Sequence, residues 1–125
     1  MTTLPKMKKL FLVIALIFVL FSCKSDLRKK LELNRPKNCS KNLEKVCNTF
    51  LEDCVISFNY FSITTDNKKA EKQMESFKKN YPKNYMLRSQ AEVLLENNIT
   101  DSSEIKIYQK FVESSMAEYF KAQSD

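Results

Sequence analysis

The chain has 125 residues, with no glycine, no histidine and no tryptophan, and a net charge of +6. Tight β-hairpin turns and phosphate-cradling loops draw heavily on glycine, so the composition argues against an all-β fold and against a nucleotide cradle. Without histidine there is no Ser-His-Asp triad and no imidazole metal site.

Lys8 and Lys9 precede an unbroken apolar run of twelve residues, Leu10 to Phe21. A bilayer-spanning helix needs about 20 apolar residues, so this run is short for a span and has the proportions of a secretory signal. It ends in Leu20-Phe21-Ser22-Cys23. That stretch resembles a bacterial lipobox, in which a branched apolar residue and a small residue lead into cysteine. The resemblance implies cleavage after Ser22. It also implies a Cys23 thiol that carries diacylglycerol and becomes the first residue of the mature chain, usually with its amine acylated as well. The spacing alone shows only a signal peptide that ends at a cysteine. A plain signal peptide, or a short membrane anchor, is the other reading, and Met7 serves as a start as well as Met1. Acyl chains contribute about 0.8 kcal/mol per buried CH₂, so two or three hold a protein firmly at a membrane.

Residues 1–22 are thus read as a lipoprotein signal peptide, 23–39 as the lipidated cysteine and a polar tether, and 40–125 as one helical body. Cleavage removes three of the 21 lysines and arginines and none of the 15 acids, leaving 18 against 15. That balance is mildly basic and is not a nucleic-acid signature. The tether, 24–38, is charged and holds Pro36, with nascent helix at Leu27, Leu31 and Leu33.

From Ser40 the pattern changes. Leu43, Val46, Cys47, Phe50, Leu51, Cys54, Val55, Phe58 and Phe61 step by three and four, one apolar stripe on a long helix. Ser40 can cap it. Residues 62–67 break it, and Asp66 or Asn67 caps a second helix over 68–80, with Ala70, Met74, Phe77 and Tyr81 inward. Pro82 ends that helix, since a residue before proline avoids the helical region. A third helix is expected over 85–96 with Leu87, Ala91, Leu94 and Leu95 inward, then a break at 97–100. Asp101 and Glu104 have capping-box spacing for a fourth helix to about 122. Its inward face is expected to be Ile105, Tyr108, Phe111, Val112, Met116, Tyr119 and Phe120. The expected class is all-α, about four helices whose short connections predict antiparallel neighbours.

The body has three cysteines, Cys39, Cys47 and Cys54. Cys47 and Cys54 are seven apart, about 10 Å along a helix, which exceeds disulfide reach. Their spacing does not match a zinc site. They read as small buried hydrophobes. A bridge from Cys39 to Cys47, or to another chain, stays open in an exported protein.

Ala70, Met74, Phe77 and Pro82 follow the small–large–large–proline order of the second helix of a tetratricopeptide (TPR) repeat, and the second helix resembles one. A shift of 34 residues carries Met74 to Tyr108, Phe77 to Phe111 and Phe61 to Leu95. The same shift carries Ala70 to Glu104 and Pro82 to Met116, which depart from the pattern. The chain from Phe58 to Glu96 is also similar to the first repeat of BamD, the TPR lipoprotein family of the outer-membrane β-barrel assembly machinery. Tyr81-Pro82 and Tyr85 carry that likeness, beside the lipobox. BamD proteins are longer, with several repeats.

The resemblance implies TPR-like helical hairpins in an outer-membrane lipoprotein facing the periplasm, acting as an adaptor for an envelope protein, with a β-barrel assembly component as the first expectation. Cys23 would be its lipid anchor, and Tyr81 and Tyr85 its candidate partner contacts. The residues alone add that no pair of carboxylates is arranged for acid–base work and no serine has a base. The expectation is a non-enzyme without cofactor, metal, small-molecule substrate or nucleic acid. A helical lipoprotein displayed on the cell surface and binding a host or environmental ligand is the alternative. The lysines at 68, 69, 72, 78, 79 and 83 are read as a solvated surface, with an acidic partner second.

Overall fold

The computed structural model describes residues 26–61 and 63–124. The expected leader, Ser22 and Cys23 lie outside the described residues. Within them the protein is all-α. Residues 26–33 form α1, followed by α2 (Lys41–Tyr60), α3 (Asn67–Asn80), a 3₁₀ turn at Tyr85–Leu87, α4 (Gln90–Glu96) and α5 (Ser102–Ser124).

The expected tether is where the structure departs first. Residues 26–33 of it are a helix, and Leu27 and Leu31 are buried in the main core, Leu31 at 0 % exposure. Four residues apart, they share one face of α1. Burying each contributes about 1.5–3 kcal/mol, which offsets the entropy a free leash would keep. Arg28 pairs with Glu52, one of the two contacts at 2.9 Å. Arg35 donates to Asn48 at 2.7 Å. The first turn of α1 thus lies beside the later part of α2, and the chain just after α1 beside Asn48, so the two run antiparallel.

α2 keeps the stripe the sequence predicts. Leu43, Val46, Cys47, Phe50, Leu51, Cys54 and Val55 are buried, and Ser57 joins them. The Ser40 hydroxyl accepts from the Leu43 N–H at 3.2 Å and caps the start. α5 covers the stripe. Phe50 meets Tyr108 and Phe111 edge-on, with ring centroids 6.3 and 6.0 Å apart, and Phe58 meets Tyr119 at 5.8 Å. Glu104 does not complete a capping box; its carboxylate accepts from the Ser40 N–H at 3.1 Å. Residue numbers rise together along both helices, so α2 and α5 are parallel. This corrects the expectation of antiparallel neighbours. Among the described residues α2 packs along α5 and on the 3₁₀ turn rather than along α3, so α2 and α3 do not pair as a TPR hairpin does.

The reason lies in the weak middle of the chain. α3 buries only Phe77, although Asp66 caps it well, accepting from Lys68 N–H at 3.0 Å. The expected third helix is broken into the 3₁₀ turn and the short α4. α4 turns Val93 and Leu94 inward and leaves Ala91 and Leu95 outside. It returns the chain to the start of α2, from which α5 rises. The return uses a Schellman cap built without glycine. Asn98 takes φ 57°, Ile99 N–H donates to Leu94 at 3.0 Å and Asn98 N–H to Leu95 at 3.1 Å. Ile99 and Leu94, both buried, make the accompanying apolar contact. Asparagine tolerates the left-handed region better than other side chains.

Candidate functional site

Two surfaces collect the residues of interest. The first is the corner after α3. Tyr81 stacks on Phe77 with centroids 5.4 Å apart and meets Tyr60 at 5.8 Å. Phe61 meets Phe77 at 4.9 Å. Tyr60 bonds Ser76 through their hydroxyls. Tyr81 is still 39 % exposed, and with Pro82, Asn80, Lys83 and Tyr85 it borders a hollow of about 440 Å³ floored by Thr49 and Asp53.

A polar network holds that corner on α2. The Tyr85 N–H donates to Asp53 Oδ2 at 2.7 Å. The Asn84 amide donates to the Asp53 carbonyl at 3.3 Å, while its Oδ1 accepts from Met86 N–H at 2.9 Å. Gln90 Nε2 donates to the Tyr85 carbonyl at 2.8 Å, and the Tyr108 hydroxyl donates to Gln90 Oε1 at 2.6 Å. The network therefore links α2, the 3₁₀ turn, α4 and α5. Burial holds the Asp53 carboxyl above its usual range, against the Tyr85 N–H that pulls it down. Burial likewise raises the Tyr108 hydroxyl. Asp53 spends its carboxylate on fixing Tyr85, a structural use of the group.

The second surface is an apolar groove of about 640 Å³ at the end where α2 and α5 finish. α3 gives it Ala70, Met74 and Phe77, the loop after α2 gives Phe61 and Ile63, the 3₁₀ turn gives Met86 and Leu87, and α5 gives Phe120. Ile63 is 82 % exposed and Phe120 60 %. Phe120 was expected inward. Its place on the buried face of α5 is taken by Ser115, because the face steps through Tyr108, Phe111, Ser115 and Tyr119.

The repeat-packing residues are thus divided. Phe61 and Phe77 meet, as the stacks above show. Tyr108 and Phe111 lie in the main core, of which Phe77 is not part. Ala70 and Met74 line the groove, Pro82 borders the hollow, and Leu95 is 69 % exposed. They do not form one seam. Asp53, Asn84 and Gln90 had no signal in the sequence beyond their polarity. Ile63 was visible only as an apolar residue in a predicted loop.

Among the described residues, no helix is long and apolar enough to cross a membrane, and no group of three histidine, cysteine or acidic side chains is placed to hold a metal ion. Comparison of the chain with protein-family models, with characterised proteins and with solved structures gives no match.

Proposed function

We propose that the protein is a lipid-anchored adaptor of the cell envelope, held by acylated Cys23 and engaging an envelope protein through the Tyr81–Pro82–Tyr85 corner. The observation that carries this reading is the corner itself. It is an open hollow bordered by two tyrosines, with the Tyr85 backbone tied down by hydrogen bonds to Asp53 and Gln90, a geometry suited to recognition. A rigid, partly exposed tyrosine offers contact area at low entropic cost. The lipobox resemblance supports the anchor and an outer-membrane, periplasm-facing location. The similarity to BamD rests on this same corner and supports a β-barrel assembly component as the partner. The reading does not depend on stacked repeats.

Two experiments test it. Cys23→Ser should release the protein from membranes; a variant that stays membrane-bound at precursor size would make the leader a plain anchor. A photoreactive residue at Tyr81 should then capture a barrel-assembly component in living cells. Repeated failure to do so, with loss of the protein on protease shaving of intact cells, would replace the adaptor with a surface-displayed ligand binder.

A further inference from the structure

We infer that the groove end of the bundle docks on the anionic bilayer that holds Cys23, with Ile63, Met74 and Phe120 entering the head-group layer and the lysines of α3 meeting lipid phosphates. The inference rests on the acylated Cys23 proposed above.

The first argument is reach. Because α1 is seated on the body from Asp26, few residues lie between the body and Cys23. Only three residue steps separate Cys23 from Asp26, at most about 11 Å of extended chain. α1 runs antiparallel to α2, with Arg28 beside Glu52. Tyr60 closes α2 eight residues beyond Glu52, about 12 Å further along the axis, and Asp26 lies about 3 Å beyond Arg28 in the same direction. About 9 Å thus remain between Asp26 and the level of the groove, which the three steps span. A lipid on Cys23 therefore brings the finishing ends of α2 and α5 to the head groups, while the far end faces away.

The second argument is what that end presents. The groove opens there, and the exposed Ile63 and Phe120 stand at its mouth. The third is charge. Residues 66–83, which include α3, carry six lysines against three acids, and all six lysines are exposed. Lys29 and Lys30 of α1 are exposed as well, and Lys121 sits in the last turn of α5. An apolar groove at the end nearest the anchor, lined in part by the lysine-rich α3, matches the acyl boundary and the phosphates of an anionic membrane.

The chain has no tryptophan, so one introduced indole is a unique reporter. Acylated full-length mature protein bearing Phe120→Trp, Ile63→Trp or, at the far end, Leu33→Trp is reconstituted into vesicles of phosphatidylglycerol or phosphatidylcholine containing lipids brominated on their acyl chains. Docking predicts a blue shift and bromolipid quenching for Phe120→Trp and Ile63→Trp on phosphatidylglycerol, with Leu33→Trp unaffected. Lys68→Gln with Lys69→Gln should lower the docked-to-undocked ratio by about fivefold per lysine. Equal, weak quenching at all three positions, with the protein still pelleting with vesicles, would overturn docking and leave the anchor intact. A blue shift without quenching, the same in detergent, would mean that the chain's own acyl groups fill the groove, and would overturn it too. A preparation without acyl mass that neither pellets nor quenches would remove both docking and anchor. One without acyl mass that is still quenched on phosphatidylglycerol would remove the anchor alone.

Discussion

The hydroxyls of Ser57 and Tyr119 meet at 3.0 Å inside the protein, from positions 62 residues apart in the chain. Both residues are buried, so neither has water as a ready substitute. Burial raises the Tyr119 hydroxyl, against the Ser57 bond that lowers it. Tyr119→Phe should cost about 1–2 kcal/mol by stranding the serine, and Ser57→Ala a similar amount by stranding the tyrosine. The double variant should lose less than the sum of the two in urea unfolding. Additive losses would mean that the bond contributes nothing in solution.

Phe77 is 1 % exposed and is the one residue α3 buries. Phe77→Ala should cost about 3–5 kcal/mol and free α3 first, seen as rapid amide exchange over Asn67–Asn80 while α2 and α5 stay protected. Protection lost evenly throughout would show that α3 belongs to the same cooperative unit as the main core.

Asp53 gives a pH test. Its carboxyl is raised from the usual 3.8, with burial the main cause. The folded chain therefore holds that proton more tightly than the unfolded chain. Its contribution to stability is complete below 3.8, is lost as pH rises through the raised folded value, and is constant above it. Glu52, lowered chiefly by its bond from Arg28, acts with the opposite sign but is common to parent and variant. Asp53→Asn should thus gain on the parent as pH rises through that window. It can keep an acceptor for the Tyr85 N–H, whereas Asp53→Ala strands that donor at about 1–3 kcal/mol. A parent and Asp53→Asn with the same pH profile would contradict the raised carboxyl.

Burial pushes the thiols of Cys47 and Cys54 up to about 12. Cys39 is only partly buried. In a Cys23→Ser chain at mildly alkaline pH, a maleimide should modify Cys39 quickly and the other two only after denaturation, read by mass spectrometry. Fast modification of Cys47 would show that the α1–α2 contact opens readily.

Ser115 Oγ is buried and makes no hydrogen bond. Ser115→Ala should be neutral or slightly stabilising in thermal melts, since it removes a desolvated group without stranding a partner. A clear loss would mean that the hydroxyl is bonded in solution.

α2 was legible because its stripe repeats over five turns and a serine marks its start. The caps at Asp66 and the break at Asn98 were legible for the same local reason. Register within α4 and α5 was not. Large apolar side chains at helical spacing mark an inward face, so Leu95 and Phe120 read as core, while Ser115 holds an inward place that only packing reveals. The direction of α5 was also hidden. Short connections favour antiparallel neighbours, and nothing local says that α3 is too polar to cover α2. The hollow was half visible. Tyr81, Pro82 and Tyr85 stand out in the sequence, but Asp53, which bonds Tyr85 from 32 residues away, carries no pattern of its own.

The parallel pairing of α2 with α5 sets an order of events during synthesis. The stripe on α2 leaves the ribosome long before the helix that covers it, and about 60 residues must close into a loop before Phe50 can meet Phe111. Until then the cover available is partial: the two leucines of α1, and later the 3₁₀ turn and α4 with Val93 and Leu94. Part of the stripe is consequently uncovered until α5 is made. Under the envelope location proposed above, that order suits a polypeptide threaded through an export channel and finished on the other side. It also means that loss of the 23-residue α5 should leave the stripe of α2 open on the side that Tyr108, Phe111 and Tyr119 cover.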